Sequence, residues 1–106
     1  MPAIGAIAVI TARPGAEDEV ADLLYELVTA TQAEAGCLLY SLQRGLEEPN
    51  VFVTVEKWAS PDALQAHLSS PHVATALGRA GELLTEAPRI ISFAPTGAGD
   101  TAKGTF

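Results

Sequence analysis

The spacing of apolar residues changes period along the chain, and each change marks an element. Ala3–Thr11 is short and apolar, carries Ile4, Ile7, Val9 and Ile10, and is closed by Arg13-Pro14-Gly15, which predicts a strand. Val20, Leu23, Leu24, Leu27, Val28 and Thr31 then recur at helical spacing and form one apolar stripe. Glu17, Asp18 and Glu19 fall in the first turn of that helix, where the helix dipole favours negative charge. Gly36 is expected to stop it by accepting a positive φ after the last turn. Cys37–Arg44 and Val51–Trp58 predict two further strands, joined through Gly45, Pro49 and Asn50 as a hairpin with a longer loop. Ser60-Pro61 and Ser70-Pro71 each fit a serine N-cap followed by proline at the first helical position. They open a short helix, Asp62–Leu68, and a longer one carrying Val73, Ala76, Leu77, Ala80, Leu83 and Leu84. Pro88 ends that segment, and Arg89–Ala94 predicts a last strand. From Pro95 the composition turns to Gly, Thr, Ala and Pro, as suits a disordered tail or an arm laid on a partner.

The order is β-α-β-β-α(α)-β, the split βαβ of an α+β, ferredoxin-like fold: a four-stranded antiparallel sheet with helices on one face. Residues 1–95 are expected to form this domain and residues 96–106 the tail. A solvated sheet face should be polar at alternate positions, and no such face is legible. One side of the first strand carries Ile4, Ala6, Ala8 and Ile10, the other Gly5, Ile7 and Val9. In the third strand Val51, Val53 and Val55 alternate with Phe52, Thr54, Glu56 and Trp58. The branched valines suit packing under helices. The Phe52–Trp58 set is then the uncovered one, and a second subunit packed sheet to sheet is its expected cover. Gly5, Ala6 and Ala8 add little volume and leave room for a ligand between the two sheets.

Composition narrows the partners. The chain has 106 residues, one domain's worth, and a net charge of −7. That balance speaks against nucleic acid and against an anionic membrane surface. Ala3–Ile10 is the longest apolar run and is far too short to span a bilayer. No basic residue precedes Arg13, so the charged start of a secretory signal is missing and the cytoplasm is the expected location. A single cysteine, Cys37, allows no intramolecular disulfide. No phosphate loop, nucleophile elbow or metal-ligand spacing is present, and nothing points to flavin or nicotinamide, so neither metal nor cofactor is expected.

Few residues are left to carry chemistry. Glu56 lies among aliphatic and aromatic neighbours, where a carboxylate must be paired, hydrogen-bonded or protonated. It reads either as a pocket acid, base or acceptor, or as a structural carboxylate near the sheet edge. His67 follows Leu64 by three residues on the apolar side of the short helix. It is either a proton carrier near neutral pH or a packed histidine with satisfied nitrogens. His72 sits in the first turn of the next helix, where the dipole disfavours a histidinium, so a local contact to the preceding loop or a partner suits it. Trp58 and Tyr40 could form an aromatic wall against a flat substrate, or ordinary core. Cys37 reads as buried and inert.

Three runs in order, Glu34-Ala35-Gly36-Cys37-Leu38-Leu39-Tyr40, Phe52-Val53-Thr54-Val55-Glu56-Lys57-Trp58 and Leu64-Gln65-Ala66-His67-Leu68-Ser69-Ser70-Pro71-His72, resemble the antibiotic biosynthesis monooxygenase domain family. The match runs from residue 3 to about residue 94. The resemblance implies a homodimeric α/β barrel, two ferredoxin-like units packed through their sheets, with a pocket in each subunit. It implies a cofactor-free oxygenase of quinols, anthrones or polyketide-like phenols, although relatives also include haem-degrading enzymes and an isomerase of a small signalling sugar. The haem-degrading branch uses an asparagine on the first strand, and this chain has none there. By position the family's pocket residues fall on Glu56, Trp58 and His67. His67 and Glu56 are therefore the candidate catalytic pair, with Trp58, Tyr40, Phe52 and His72 as candidate substrate contacts. The alternatives are an isomerase or other enzyme on the same scaffold, which a pocket of lysine, histidine and carboxylate would favour, and a non-catalytic ligand-binding dimer.

Overall fold

In the computed structural model, which describes residues 3–104, the chain runs β1 (Ile4–Thr11), α1 (Glu17–Gln32), β2 (Cys37–Arg44), β3 (Val51–Trp58), α2 (Pro61–Leu68), α3 (Pro71–Ala80), β4 (Arg89–Phe93) and α4 (Thr101–Gly104). The strands form one antiparallel sheet in the order β2-β3-β1-β4, the ferredoxin-like topology read from the pattern. Residues 1–2 of the expected domain and 105–106 of the expected tail lie outside the described residues. No helix among the described residues is long and apolar enough to cross a membrane.

Register decides which face is which, and it reverses the expected assignment. Directly opposite residues of antiparallel strands point to the same side. Tyr40, Glu56, Ala6 and Ser92 therefore share one row, and Leu42, Thr54, Ala8 and Ile90 the next. The helices cover this face. At one end Ile10 and Phe52 pack with Val20, Leu23 and Leu24 of α1 and Ala80 of α3. At the other, Ala6, Tyr40 and Trp58 pack with Leu64 of α2. In β3 the even positions, Phe52, Thr54, Glu56 and Trp58, are buried, whereas Val51, Val53 and Val55 are only half-buried.

The valines thus lie on the open face, and the aromatic and acidic set lies under the helices. The physical reason is volume. Ala6 and Ala8 at the sheet centre make a shallow trough that large side chains and helices can fill, while β-branched residues build a flat outer surface. A cavity for a ligand lies between the sheet and the helices.

Local predictions held where capping chemistry set them. Ser60 accepts from the Ala63 amide (3.1 Å) and Ser70 from the Val73 amide (3.4 Å), each with proline at the start of its helix. Two expectations failed. Gly36 does not adopt a positive φ, and α1 already ends at Gln32. Gly36 is needed for close approach instead, since a Cβ there would run into the Ala63 side chain. The helix expected to reach Leu84 stops at Ala80, because the chain beyond pairs with the end of β1. Arg13 donates its amide to the Leu83 carbonyl (2.8 Å), and Thr85 donates to Thr11 (3.0 Å).

Candidate active site

Three loops and helix ends converge beside Trp58. His67 lies in the last turn of α2, His72 in the first turn of α3, and Glu34 in the connection from α1 to β2. One carboxylate oxygen, Glu34 Oε2, lies 2.7 Å from His67 Nδ1 and 2.9 Å from His72 Nε2. An ionised carboxylate only accepts hydrogen bonds, so each of these imidazole nitrogens carries the proton it donates. His67 is thereby held in the tautomer whose free Nε2 has a lone pair. Its ring stacks against Trp58, with centroids 4.6 Å apart, and lies 5.5 Å from the Tyr40 ring. The Ser70 hydroxyl donates to the His67 carbonyl (2.6 Å) while capping α3, which fixes the two histidines relative to each other.

Glu56 is buried and fully engaged. Its Oε1 accepts from the Trp58 indole N–H (2.9 Å) and its Oε2 from the Thr54 hydroxyl (2.6 Å). Such a carboxylate is satisfied without an arginine. Tyr40 shares its row. Burial, and then the neighbouring Glu56 charge, push its phenol well above the usual tyrosine range, with the Thr54 hydroxyl opposing in part. The phenol therefore stays protonated and can donate. Cys37 is half-buried rather than buried as expected; partial burial first, followed by the charges of Glu34 and Glu56, raises its thiol.

A prediction follows from Tyr40. The fold favours its neutral form, so the stability it contributes is complete below the unfolded tyrosine pKa of about 10 and is lost as pH rises beyond it. Denaturation midpoints measured between roughly pH 9 and pH 11 are expected to fall in the native chain and to flatten in Tyr40→Phe. A limb of unchanged slope would contradict the burial of this phenol.

A cavity of about 260 Å³ extends from this cluster between the sheet and helices α1 and α3. Its lining is aliphatic except for Tyr40, Glu56 and His67, which bring all its polar side chains to one end. Leu77 and Ile90, each 48% exposed, flank it where α3 faces the edge strand β4, so the opening lies there. Of the residues singled out from sequence, the structure brings Glu56, His67 and Tyr40 to the cavity and places Trp58 directly behind His67. Phe52 belongs to the other end of the core and borders an open groove along β2. His72 holds Glu34 from outside the cavity. Glu34 and Thr54 were missed as site residues. Glu34 lies in a loop 33 residues before His67, and only the motif run that contains it gave a signal.

The fold and this cluster define a ferredoxin-like α+β domain with an apolar pocket ended by histidine, tyrosine and carboxylate. The model of the antibiotic biosynthesis monooxygenase family matches residues 3–79, and the chain belongs to that family. Rv0793 of Mycobacterium tuberculosis is 34% identical over 92 residues, 87% of this chain and 90% of that protein. Its solved structure superposes with a TM-score of 0.83, covering 92% of this chain and 99% of that one. YcnE of Bacillus subtilis is 31% identical over 78 residues, 74% of this chain and 82% of its own length. Both relatives are provisionally named monooxygenases. The structure of PA3566 from Pseudomonas aeruginosa aligns with a TM-score of 0.81 at 30% identity, over 88% of this chain and 93% of that one.

Proposed function

We propose that this protein is a homodimeric, cofactor-independent monooxygenase that oxidises a small electron-rich aromatic compound, a quinol or an anthrone-like phenol, with dioxygen. The observation that carries the reading is the apolar cavity whose polar side chains lie at one end, with His67 Nδ1 held by Glu34 and its Nε2 without a hydrogen-bond partner among the described residues. Among the described residues no lysine or arginine lines that cavity, which disfavours a polar metabolite. Its volume of about 260 Å³ lies just under the roughly 300–1,000 Å³ typical of sites for drug-sized ligands and suits a small aromatic compound.

The substrate supplies the electrons. His67 Nε2 takes a proton from the phenol, or from the acidic carbon of an anthrone, and Glu34 stabilises the resulting imidazolium. The anion passes one electron to dioxygen, and the two radicals combine to a peroxide. The peroxide anion takes back the His67 proton. The carbon that bears the peroxide then loses its remaining hydrogen as a proton, and its C–O bond becomes the carbonyl as the O–O bond breaks. The departing hydroxide takes up that proton and leaves as water. The Tyr40 hydroxyl is the donor available to the reduced oxygen. Aliphatic walls keep bulk water from the anion. Glu56 positions Trp58 and Thr54 around the ring and is not itself the base.

Oxygen uptake with a panel of quinols and anthrones tests this. His67→Ala is expected to lower turnover by about 10²–10⁴-fold, the usual contribution of a positioned base. Unchanged turnover in that variant, or no uptake by the native chain with any of these compounds, would overturn the reading.

A further inference from the structure

No metal is expected from the sequence, yet the fold brings two histidines and a carboxylate together. Glu34 Oε2, His67 Nδ1 and His72 Nε2 all lie within 4.8 Å of one another, and their side chains are 17%, 5% and 27% exposed. We propose that Glu34, His67 and His72 form a binding site for one first-row transition dication of the zinc class. Two imidazole nitrogens and a carboxylate oxygen are a borderline donor set that suits such ions and not magnesium or calcium. A tetrahedral ion about 2.0–2.2 Å from each donor spaces its ligands roughly 3.3 Å apart. The two nitrogen–oxygen separations, 2.7 and 2.9 Å, therefore need to open by only about half an ångström.

The three ligands come from separate segments, and each segment is pinned. The Glu34 loop is closed by the Glu34 amide on Thr31 (3.0 Å) and the Cys37 amide on Glu34 (3.1 Å). The Gly36 carbonyl accepts from Ala59, which holds this loop against the start of α2. The two histidines are tied through Ser70, which bonds the His67 carbonyl and caps α3. Three protein ligands leave a fourth position open, and the half-exposed His72 side gives the ion its entry. The site carries one negative charge and the chain −7, a field that attracts a dication.

An ion on Nδ1 leaves the His67 ring proton on Nε2, so a loaded site and the proton-accepting role proposed above exclude each other. Binding rather than turnover is therefore the readout. The metal site does not depend on the oxygenase reading.

The experiment uses tag-free full-length chain, stripped with a chelator and titrated with Zn²⁺ by calorimetry and with Co²⁺ by visible absorption. One equivalent per chain is expected, with tetrahedral cobalt bands that Zn²⁺ bleaches and Mg²⁺ does not. His72→Ala removes a half-exposed side chain and keeps the core, and Glu34→Gln keeps the shape. Each is expected to weaken binding by more than the roughly 10–100-fold that outer-shell changes cost, with an unchanged circular dichroism spectrum. Cys37→Ser is expected to bind as the native chain does. Absence of saturable binding, loss of binding in Cys37→Ser, or native affinity in both His72→Ala and Glu34→Gln would overturn the site.

Discussion

Replacing Trp58 with alanine is expected to remove about 3–5 kcal/mol of folding stability, more than any other single truncation in this chain. Trp58 has no exposed surface and is the largest fully buried side chain. It packs edge-on to Tyr40, at 6.4 Å, and at a tilt of 33° against His67, so its loss opens a void between two helices and the sheet. A second cost adds to the cavity. The indole N–H is one of the two donors to Glu56 among the described residues, and a buried carboxylate left short of a partner costs about 1–3 kcal/mol more. Domains of this size hold only about 5–15 kcal/mol in all, so the variant is expected to lose most of its folded population under mild denaturant. Trp58→Phe keeps part of the volume but not the hydrogen bond and should fall between. Trp58 is the sole tryptophan, so the comparison is made by circular dichroism in urea rather than by fluorescence. A loss below about 1 kcal/mol would mean that the site closes up around the gap and that Trp58 is not the support of His67 and Glu56 described above.

The reach of the sequence differs between the backbone and the site, for physical reasons. Element type and order follow from local signals. The serine–proline caps, the acidic first turn of α1 and the period of its apolar stripe sit within a few residues of what they determine, and the ferredoxin-like order followed from them. Sheet faces depend on register between distant strands. Both faces of β1 and β3 are apolar, so no alternation told valine from phenylalanine as the inward set, and the outward assignment of Trp58 and Glu56 was reversed. Gly36 shows the same limit, since a helix stop and a close approach both demand glycine, and only the contact with Ala63 separates them. His67, Glu56 and Tyr40 were legible as a site because burial of polar groups among apolar neighbours is itself unusual. The partner of His67 was not. Its carboxylate comes from the far side of a hairpin and a helix, and spacing along the chain carries no trace of that meeting.

The reversed faces also move the proposed dimer interface to the valine face of the sheet and give that proposal a sharp test. The outer surface of the sheet aligns Ser41, Val55, Ile7 and Ile91 in one row and Gln43, Val53, Val9 and Arg89 in the next. Ile91 is 56% exposed, and Ile7, Val9, Val53 and Val55 are half-buried in one protomer. Aliphatic rows bounded by Ser41, Gln43 and Arg89 have the character of an interface core with a polar rim, and a second copy related by a two-fold axis is the occupant that matches such a surface to itself. Val55→Lys places an ammonium at the middle of it. Burying one branched aliphatic side chain is worth about 1.5–3 kcal/mol, and a two-fold interface meets each substitution twice. The dissociation constant is therefore expected to rise by roughly two to four powers of ten. The monomer should still fold, because this face supports none of the helices. Sedimentation of the native chain is expected to give a dimer at micromolar concentration and Val55→Lys a monomer with an unchanged circular dichroism spectrum. A native chain that sediments as a monomer at high concentration, or a lysine variant that dimerises as tightly as the native protein, would place the interface elsewhere and leave the aliphatic rows facing water.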